Sequence, residues 1–198
     1  MTKVKICGVR TVEELRYINE ARPDFVGFVM APSKRKVTIP MVRNLRHQLD
    51  DGISAVGVFS GQPVEMIIEL LDEEVFDMVQ LHGNVPSGYI RSLKEASPAT
   101  VVQAIDMNAV GFAPTLGTEA DMLLLDGGPG GTGVSFDWSS AHGVQNDFFL
   151  AGGLDLQNVR QAIEAVRPFA VDISSGVEVD GRKDRTRILH TVRRIRDV

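Results

Sequence analysis

Eight short β-rich runs recur along the chain: Val4–Cys7, Phe25–Met30, Ser54–Phe59, Met78–His82, Thr100–Ile105, Met122–Asp126, Phe148–Ala151 and Ala170–Ser174. Most of the gaps between them hold apolar residues at helical spacing, as in Val12-Leu15-Ile18, Met41-Leu45-Leu49, Val64-Ile67-Ile68-Leu71, Ile90-Leu93, Val159-Ile163-Val166 and Ile188-Val192-Ile195. Repeated strand then helix implies a parallel sheet, and eight units favour closure into a barrel over an open sheet. The expectation is one α/β domain over residues 1–198, a compact (β/α)8 TIM barrel. The fifth helix should be short or missing, because Asn108 to Glu119 holds Gly111, Pro114 and Gly117. With 198 residues for eight units, against ~250 in a typical barrel, the loops must be lean. Long catalytic insertions are excluded.

Charge and cysteine usage narrow the partners. Lys plus Arg number 21 against 26 Asp plus Glu, and a net charge of −5 offers no general attraction to nucleic acid or an anionic membrane. Any anion must be bound locally. The apolar runs are strand-sized and the start MTKVKICG lacks the apolar core of a signal peptide, so a cytoplasmic location is expected. The single cysteine, Cys7, can make neither an internal disulfide nor a thiolate metal cluster. It serves packing or chemistry.

In a (β/α)8 barrel the active site sits at the C-terminal ends of the strands. Here those ends are Cys7-Gly8, Met30-Ala31, Phe59-Ser60, His82-Gly83, Asp106, Asp126-Gly127, Gly152-Gly153 and Ser174-Ser175-Gly176. Cys7 and Asp126 face each other across the mouth, one a candidate base and the other a candidate acid. A cation such as Lys5 can favour a thiolate at Cys7, and a thiol and a carboxyl ionising close together would raise the carboxyl's pKa. Period-2 alternation puts Lys5 with Cys7, Gln80 with His82, and Asp172 with Ser174 on the interior. If strand 8 closes on strand 1, Lys5 and Asp172 form a buried ion pair, either catalytic or a plug for the barrel. His82 is ranked as a ligand-orienting group.

The segment Leu123 to Trp138, LLLDGGPGGTGVSFDW, follows a buried strand and its terminal carboxylate with five glycines, which let backbone N–H groups approach an anion. From Gly128 it also parses as G-x-G-x-x-G, but no helix opens directly on those glycines, as a dinucleotide site requires. A plain linker is the other alternative. Gly152 and Gly153 after strand 7, with Ser174, Ser175 and Gly176 after strand 8, fit the phosphate cradle that barrels build there; tight turns alone would use the same residues. Arg35, on a Pro-containing turn between Lys34 and Lys36, can fork onto a carboxylate, or the three cations can form a solvated face.

Lys5-Ile6-Cys7-Gly8, Val79-Gln80-Leu81-His82-Gly83, Gly130-Gly131-Thr132-Gly133 with Phe136-Asp137-Trp138, Leu150-Ala151-Gly152-Gly153-Leu154 and Val171-Asp172-Ile173-Ser174-Ser175-Gly176-Val177-Glu178 resemble the phosphoribosylanthranilate isomerases of tryptophan biosynthesis. The resemblance runs from Val4 to about Ile188. It implies Cys7 as general base, Asp126 as general acid and Arg35 as partner of the anthranilate carboxylate. His82 and Asp172 are further candidate substrate-binding residues from their places on the strands. Gly130, Gly131, Gly133 and the cradle after strands 7 and 8 would hold the ribose phosphate. The implied reaction is an Amadori rearrangement of N-(5-phosphoribosyl)anthranilate without a cofactor, by a monomer or weak homodimer. Two departures are Gly127, where the family usually has Thr or Ser, and Lys34, where it often has proline, so a looser turn is expected there. The competing readings are a histidine-pathway isomerase, which resembles a two-fold repeat with aspartates at both catalytic strand ends, and a catalytically silent phosphosugar-binding barrel.

Overall fold

The computed structural model describes residues 1–86, 88–108, 118–128 and 135–198. Eight parallel strands close into a barrel in chain order, with the last paired to the first. They are β1 (Lys3–Cys7), β2 (Phe25–Val29), β3 (Ser54–Phe59), β4 (Met78–Leu81), β5 (Thr100–Asp106), β6 (Met122–Asp126), β7 (Phe148–Leu150) and β8 (Ala170–Ile173). The outer helices are α1 (Val12–Ala21), α2 (Ile39–Arg46), α3 (Val64–Asp72), α4 (Tyr89–Ala96), α5 (Val159–Val166) and α6 (Arg185–Arg196). Each strand run read from the sequence is found within one residue at its ends.

Three features depart from the sequence reading or lie outside it. Helix α2 buries Val42 and Leu45 and leaves Met41 exposed, and it ends before Leu49, so the apolar stripe read through Met41 is rotated by one residue. Between β6 and β7 the described residues form a 3-10 turn, Trp138–Gly143, opened by Asp137, whose side chain accepts from Ser139 N–H. The expectation about the fifth helix falls mainly on residues 109–117, outside the described residues.

Alternation along each strand separates two cores. Ile6, Val26, Phe28 and Phe59 point outward and are covered by the helices. Phe25, Val56, Met78, Leu124 and Phe149 point inward and fill the barrel floor, where the Phe25 and Phe149 rings meet edge to face at 5.3 Å. Three of the four even-numbered units carry the same fastening at the barrel bottom. Asp24, Asp77 and Asp121, each just before a strand, accept the N–H of Val4, Ala55 and Val101 on the preceding odd-numbered strand at 2.9, 2.7 and 2.9 Å. A carboxylate on an otherwise unpaired strand-start N–H locks the stagger that barrel closure needs.

After β8 the chain makes a small antiparallel hairpin, β9 (Glu178–Val179) and β10 (Arg182–Lys183), before entering α6. Its two-residue turn, Asp180-Gly181, has φ of 49° and 74°. That is the Asp-Gly conformation whose twist suits a tight hairpin. The hairpin meets the site through Arg35 and Ser174, which its Glu178 and Lys183 hold.

Candidate active site

The inward-facing residues at the strand ends surround a cavity of about 530 Å³ that includes Cys7, His82, Asp126 and Asp172. Lys5 lies below it, 1% exposed, and donates to Asp172 Oδ2 at 2.9 Å and to Gln80 Oε1 at 2.8 Å. Lys5 and Asp172 are register partners across the β1–β8 closure, which is where the sequence placed the ion pair. Asp172 Oδ1, also buried, has no partner among the described residues.

Asp126 ends β6 almost fully buried, with Oδ1 accepting Gly127 N–H at 2.8 Å. Its pKa is pushed up to about 6, first by burial and then by the Asp172 carboxylate, against the Gly127 hydrogen bond. The sequence reading assigned such a rise to the neighbouring thiol; the causes are desolvation and a second carboxylate. A carboxyl so poised can give a proton near neutral pH. Cys7 differs from expectation more sharply. Burial, the largest cause, together with the Asp172 carboxylate raises its thiol pKa by more than Lys5 and Lys183 lower it, so the resting group is the thiol and not a thiolate. His82, behind Gly83 in the left-handed conformation, has its pKa lowered by burial and by Lys5 and is a neutral imidazole in the cavity wall.

Arg35 reaches the cavity from the loop after β2, and its side chain lies across Gly8, where a Cβ would sit 2.4 Å from Arg35 Cδ. Gly8 has φ of 87°, so glycine is required there for conformation as well as for space. The fork that the sequence offered to a substrate carboxylate is engaged by Glu178, with Nε donating to Oε1 at 2.7 Å and Nη2 to Oε2 at 2.9 Å. Lys183, equally buried, donates to Glu178 Oε1 at 2.8 Å and to the Ser174 carbonyl at 3.0 Å. In the sequence Glu178 stands only as the end of the Val171–Glu178 motif, and Lys183 belongs to no motif. The legible signal for them was the Asp180-Gly181 turn, which sets Lys183 opposite Glu178.

The loops after β7 and β8 meet at the other side of the mouth. Gly152 and Gly153 have φ of 84° and 63°, and a Cβ on Gly176 would sit 2.0 Å from the Leu154 carbonyl oxygen, so only glycine permits the contact. The N–H groups of Gly152, Gly153, Ser175 and Gly176 donate to no other described residue. Main-chain donors left without acceptors on two adjoining glycine-rich loops suit an anion. Ser174 instead donates its hydroxyl to the Cys7 carbonyl at 2.9 Å, which ties the loop to the end of β1. Gly130, Gly131 and Gly133 lie outside the described residues.

The family described as N-(5'-phosphoribosyl)anthranilate (PRA) isomerase matches residues 4–194. The chain belongs to the N-(5'-phosphoribosyl)anthranilate isomerase family. A relative of that name from Endomicrobium trichonymphae is 39% identical over 202 residues, with all of both chains covered. The crystal structure of phosphoribosyl anthranilate isomerase from Thermus thermophilus superposes with a TM-score of 0.89 at 29% identity, covering 99% of each chain. Another, phosphoribosyl anthranilate isomerase in complex with reduced 1-(o-carboxyphenylamino)-1-deoxyribulose 5-phosphate, has a TM-score of 0.82 at 32% identity and full coverage of both chains. The chain is accordingly an isomerase of tryptophan biosynthesis.

Both departures from the usual sequence of N-(5'-phosphoribosyl)anthranilate isomerases have a structural outcome. At Gly127 the main chain makes the local contacts, its N–H to Asp126 and its carbonyl to Asn108 Nδ2. At Lys34 the turn is fastened without proline. Ser33 accepts Arg35 N–H on its hydroxyl at 3.1 Å and Lys36 N–H on its carbonyl at 3.1 Å, and Arg10 Nη1 donates to the Lys34 carbonyl at 3.0 Å. Among the described residues no helix is long and apolar enough to cross a membrane.

Proposed function

We propose that the family's Amadori rearrangement runs in this chain by proton transfers from Asp126 and to Cys7 across the cavity. Asp126 protonates the furanose ring oxygen of N-(5-phosphoribosyl)anthranilate, and the C1–O bond breaks to leave a Schiff base. The Cys7 thiolate removes the C2 proton, the electrons move toward nitrogen, and the resulting enolamine takes that proton back from Cys7 at C1 while its C2 hydroxyl gives its proton to the Asp126 carboxylate, leaving the ketone 1-(2-carboxyphenylamino)-1-deoxyribulose 5-phosphate and both groups in their starting states. The atoms balance without a co-reactant. Each general acid or base step is worth ~10²–10⁴-fold.

The observation that carries this reading is the Asp126 carboxyl with pKa about 6 in the same cavity as Cys7. A protonated acid with a thiolate is the less populated arrangement of the pair at neutral pH, because burial holds the thiol high. The phosphate is assigned to the N–H groups after β7 and β8, the anthranilate carboxylate to Arg35, and a sugar hydroxyl to the unpartnered Asp172 Oδ1. His82 orients the ligand as a neutral imidazole. All of these groups belong to this chain, so the site as assigned is complete in a monomer or weak homodimer, and a cytoplasmic location is proposed from the family's place in amino-acid biosynthesis. The test is turnover of N-(5-phosphoribosyl)anthranilate followed by its loss of fluorescence. Wild-type protein that binds the substrate without converting it overturns the reading.

A further inference from the structure

A buried ion cluster at the rim of the cavity takes no part in the proton transfers. Arg35, Glu178 and Lys183 are 4, 9 and 5% exposed, and their formal charges sum to one positive. Two cations this deeply placed would repel, and burial alone already lowers the Lys183 pKa. Glu178 is the anion that lets both stay charged, and its own carboxyl is held down to about 2 in spite of burial by hydrogen bonds and charge from Arg35 and Lys183.

The cluster also fixes direction. A bidentate pair sets the plane of a guanidinium, which one contact would leave free to swing. The carboxylate doing so is itself held, since Lys183 grips Oε1 from one side and is anchored to the Ser174 carbonyl. The hairpin that carries both residues is clasped from outside by Arg10, whose Nη2 donates to the Gly181 carbonyl at 2.6 Å. Lys183 N–H in turn donates to Glu14 at 3.2 Å. Ser174 begins the phosphate loop and bonds the Cys7 carbonyl. One chain of contacts therefore joins the phosphate loop to Arg35.

We infer that Glu178 is the positioning residue that aims Arg35 at the carboxylate of the substrate, with Lys183 locking Glu178 to the phosphate loop so that the cluster presents one net positive charge to one carboxylate. This rests on the reading of Arg35 as the carboxylate partner. It goes beyond that reading by assigning the orientation of Arg35 to a hairpin outside the barrel. A fastener without this role would alter stability and leave ligand preference alone.

Two probes separate the possibilities: reduced 1-(o-carboxyphenylamino)-1-deoxyribulose 5-phosphate and its phenylamino counterpart lacking the carboxylate. Their Kd values are measured on wild type, Arg35→Ala, Glu178→Gln and Lys183→Met. Glu178→Gln should weaken the carboxylated probe about tenfold, because a misaimed clamp forfeits orientation, and leave the other nearly unchanged. Lys183→Met should show the same split to a smaller degree. Glu178→Asp, which keeps the charge but draws it back by one methylene, serves if Glu178→Gln does not fold, with the same split expected. Loss of preference in Arg35→Ala but not in the Glu178 variants overturns the inference while leaving Arg35 in place. An unchanged preference in Arg35→Ala removes the reading of Arg35 on which it stands.

Discussion

Gly27 faces Cys7 across the β1–β2 pair, and a Cβ on Gly27 would sit 2.7 Å from Cys7 Sγ and 3.1 Å from Cys7 Cα. The missing side chain is the space in which the thiol lies. Gly27→Ala should push the sulfur off its position, costing about 1–3 kcal/mol by overpacking and lowering kcat by at least about tenfold through misplacement. Adding Cys7→Ala should recover part of the stability and none of the rate, since the sulfur clash goes and the backbone contact remains. Thermal unfolding and single-turnover rates on the two variants check this.

Asp126 links activity to stability with opposite signs. Its folded pKa of about 6 stands above the ordinary 3.8, so the folded state favours the protonated form. The carboxyl therefore supports folding below pH about 4, and that support is lost as pH rises through about 6. Above that the buried charge costs on the order of 2–3 kcal/mol. Asp126→Asn keeps an acceptor for Gly127 N–H and removes the charge. It should unfold at a higher temperature than wild type at pH 8, show little difference at pH 4, and lose at least ~10²-fold in kcat. A variant no more stable than wild type at pH 8 would contradict the buried charge, and one that kept its kcat would remove Asp126 as the acid.

The phosphate site is tested by hydrogen exchange. Inorganic phosphate should compete with substrate and slow exchange at Gly152, Gly153, Ser175 and Gly176, whose N–H groups lack acceptors among the described residues. Protection confined to other loops would move the site.

The barrel was legible in the sequence because a strand buried on both faces must be an apolar run, and Leu123-Leu124-Leu125 or Val26-Gly27-Phe28 can be little else. Its register was not, since the aspartates that set it, Asp24, Asp77 and Asp121, look like ordinary turn residues until the strand-start N–H groups they hold are seen. The Lys5–Asp172 pair was legible because alternation and closure together leave two opposite charges side by side. The state of Cys7 was not. Which wins, the Lys5 charge or the burial, depends on desolvation by the whole cavity, and nearest neighbours in sequence do not report that. Arg35 lines the cavity from the loop in which the sequence offered it, but its ion pair with Glu178 was not legible, because Glu178 arrives from a hairpin 143 residues away along the chain.

Cys7 decides between packing and chemistry. As packing alone, Cys7→Ala would remove a small buried group and cost some stability with little effect on rate. As the base, Cys7→Ala should abolish turnover with the fold intact, and Cys7→Ser should do nearly as badly, because a serine hydroxyl yields no anion near neutral pH. The raised pKa adds a kinetic signature. Only the thiolate reacts with an alkylating reagent, so inactivation should be slow at pH 7 and still accelerating beyond pH 9, the ordinary thiol value. There is no second cysteine to share the label. Lys5→Met removes the nearest cation and should slow alkylation further at every pH below the new pKa. It also leaves Asp172 buried without its partner, so the comparison is made on the rate per folded molecule. Reduced 1-(o-carboxyphenylamino)-1-deoxyribulose 5-phosphate should protect the wild type. An alanine variant that turns over at the wild-type rate would leave the thiol to packing and make His82, neutral and in the same cavity, the base.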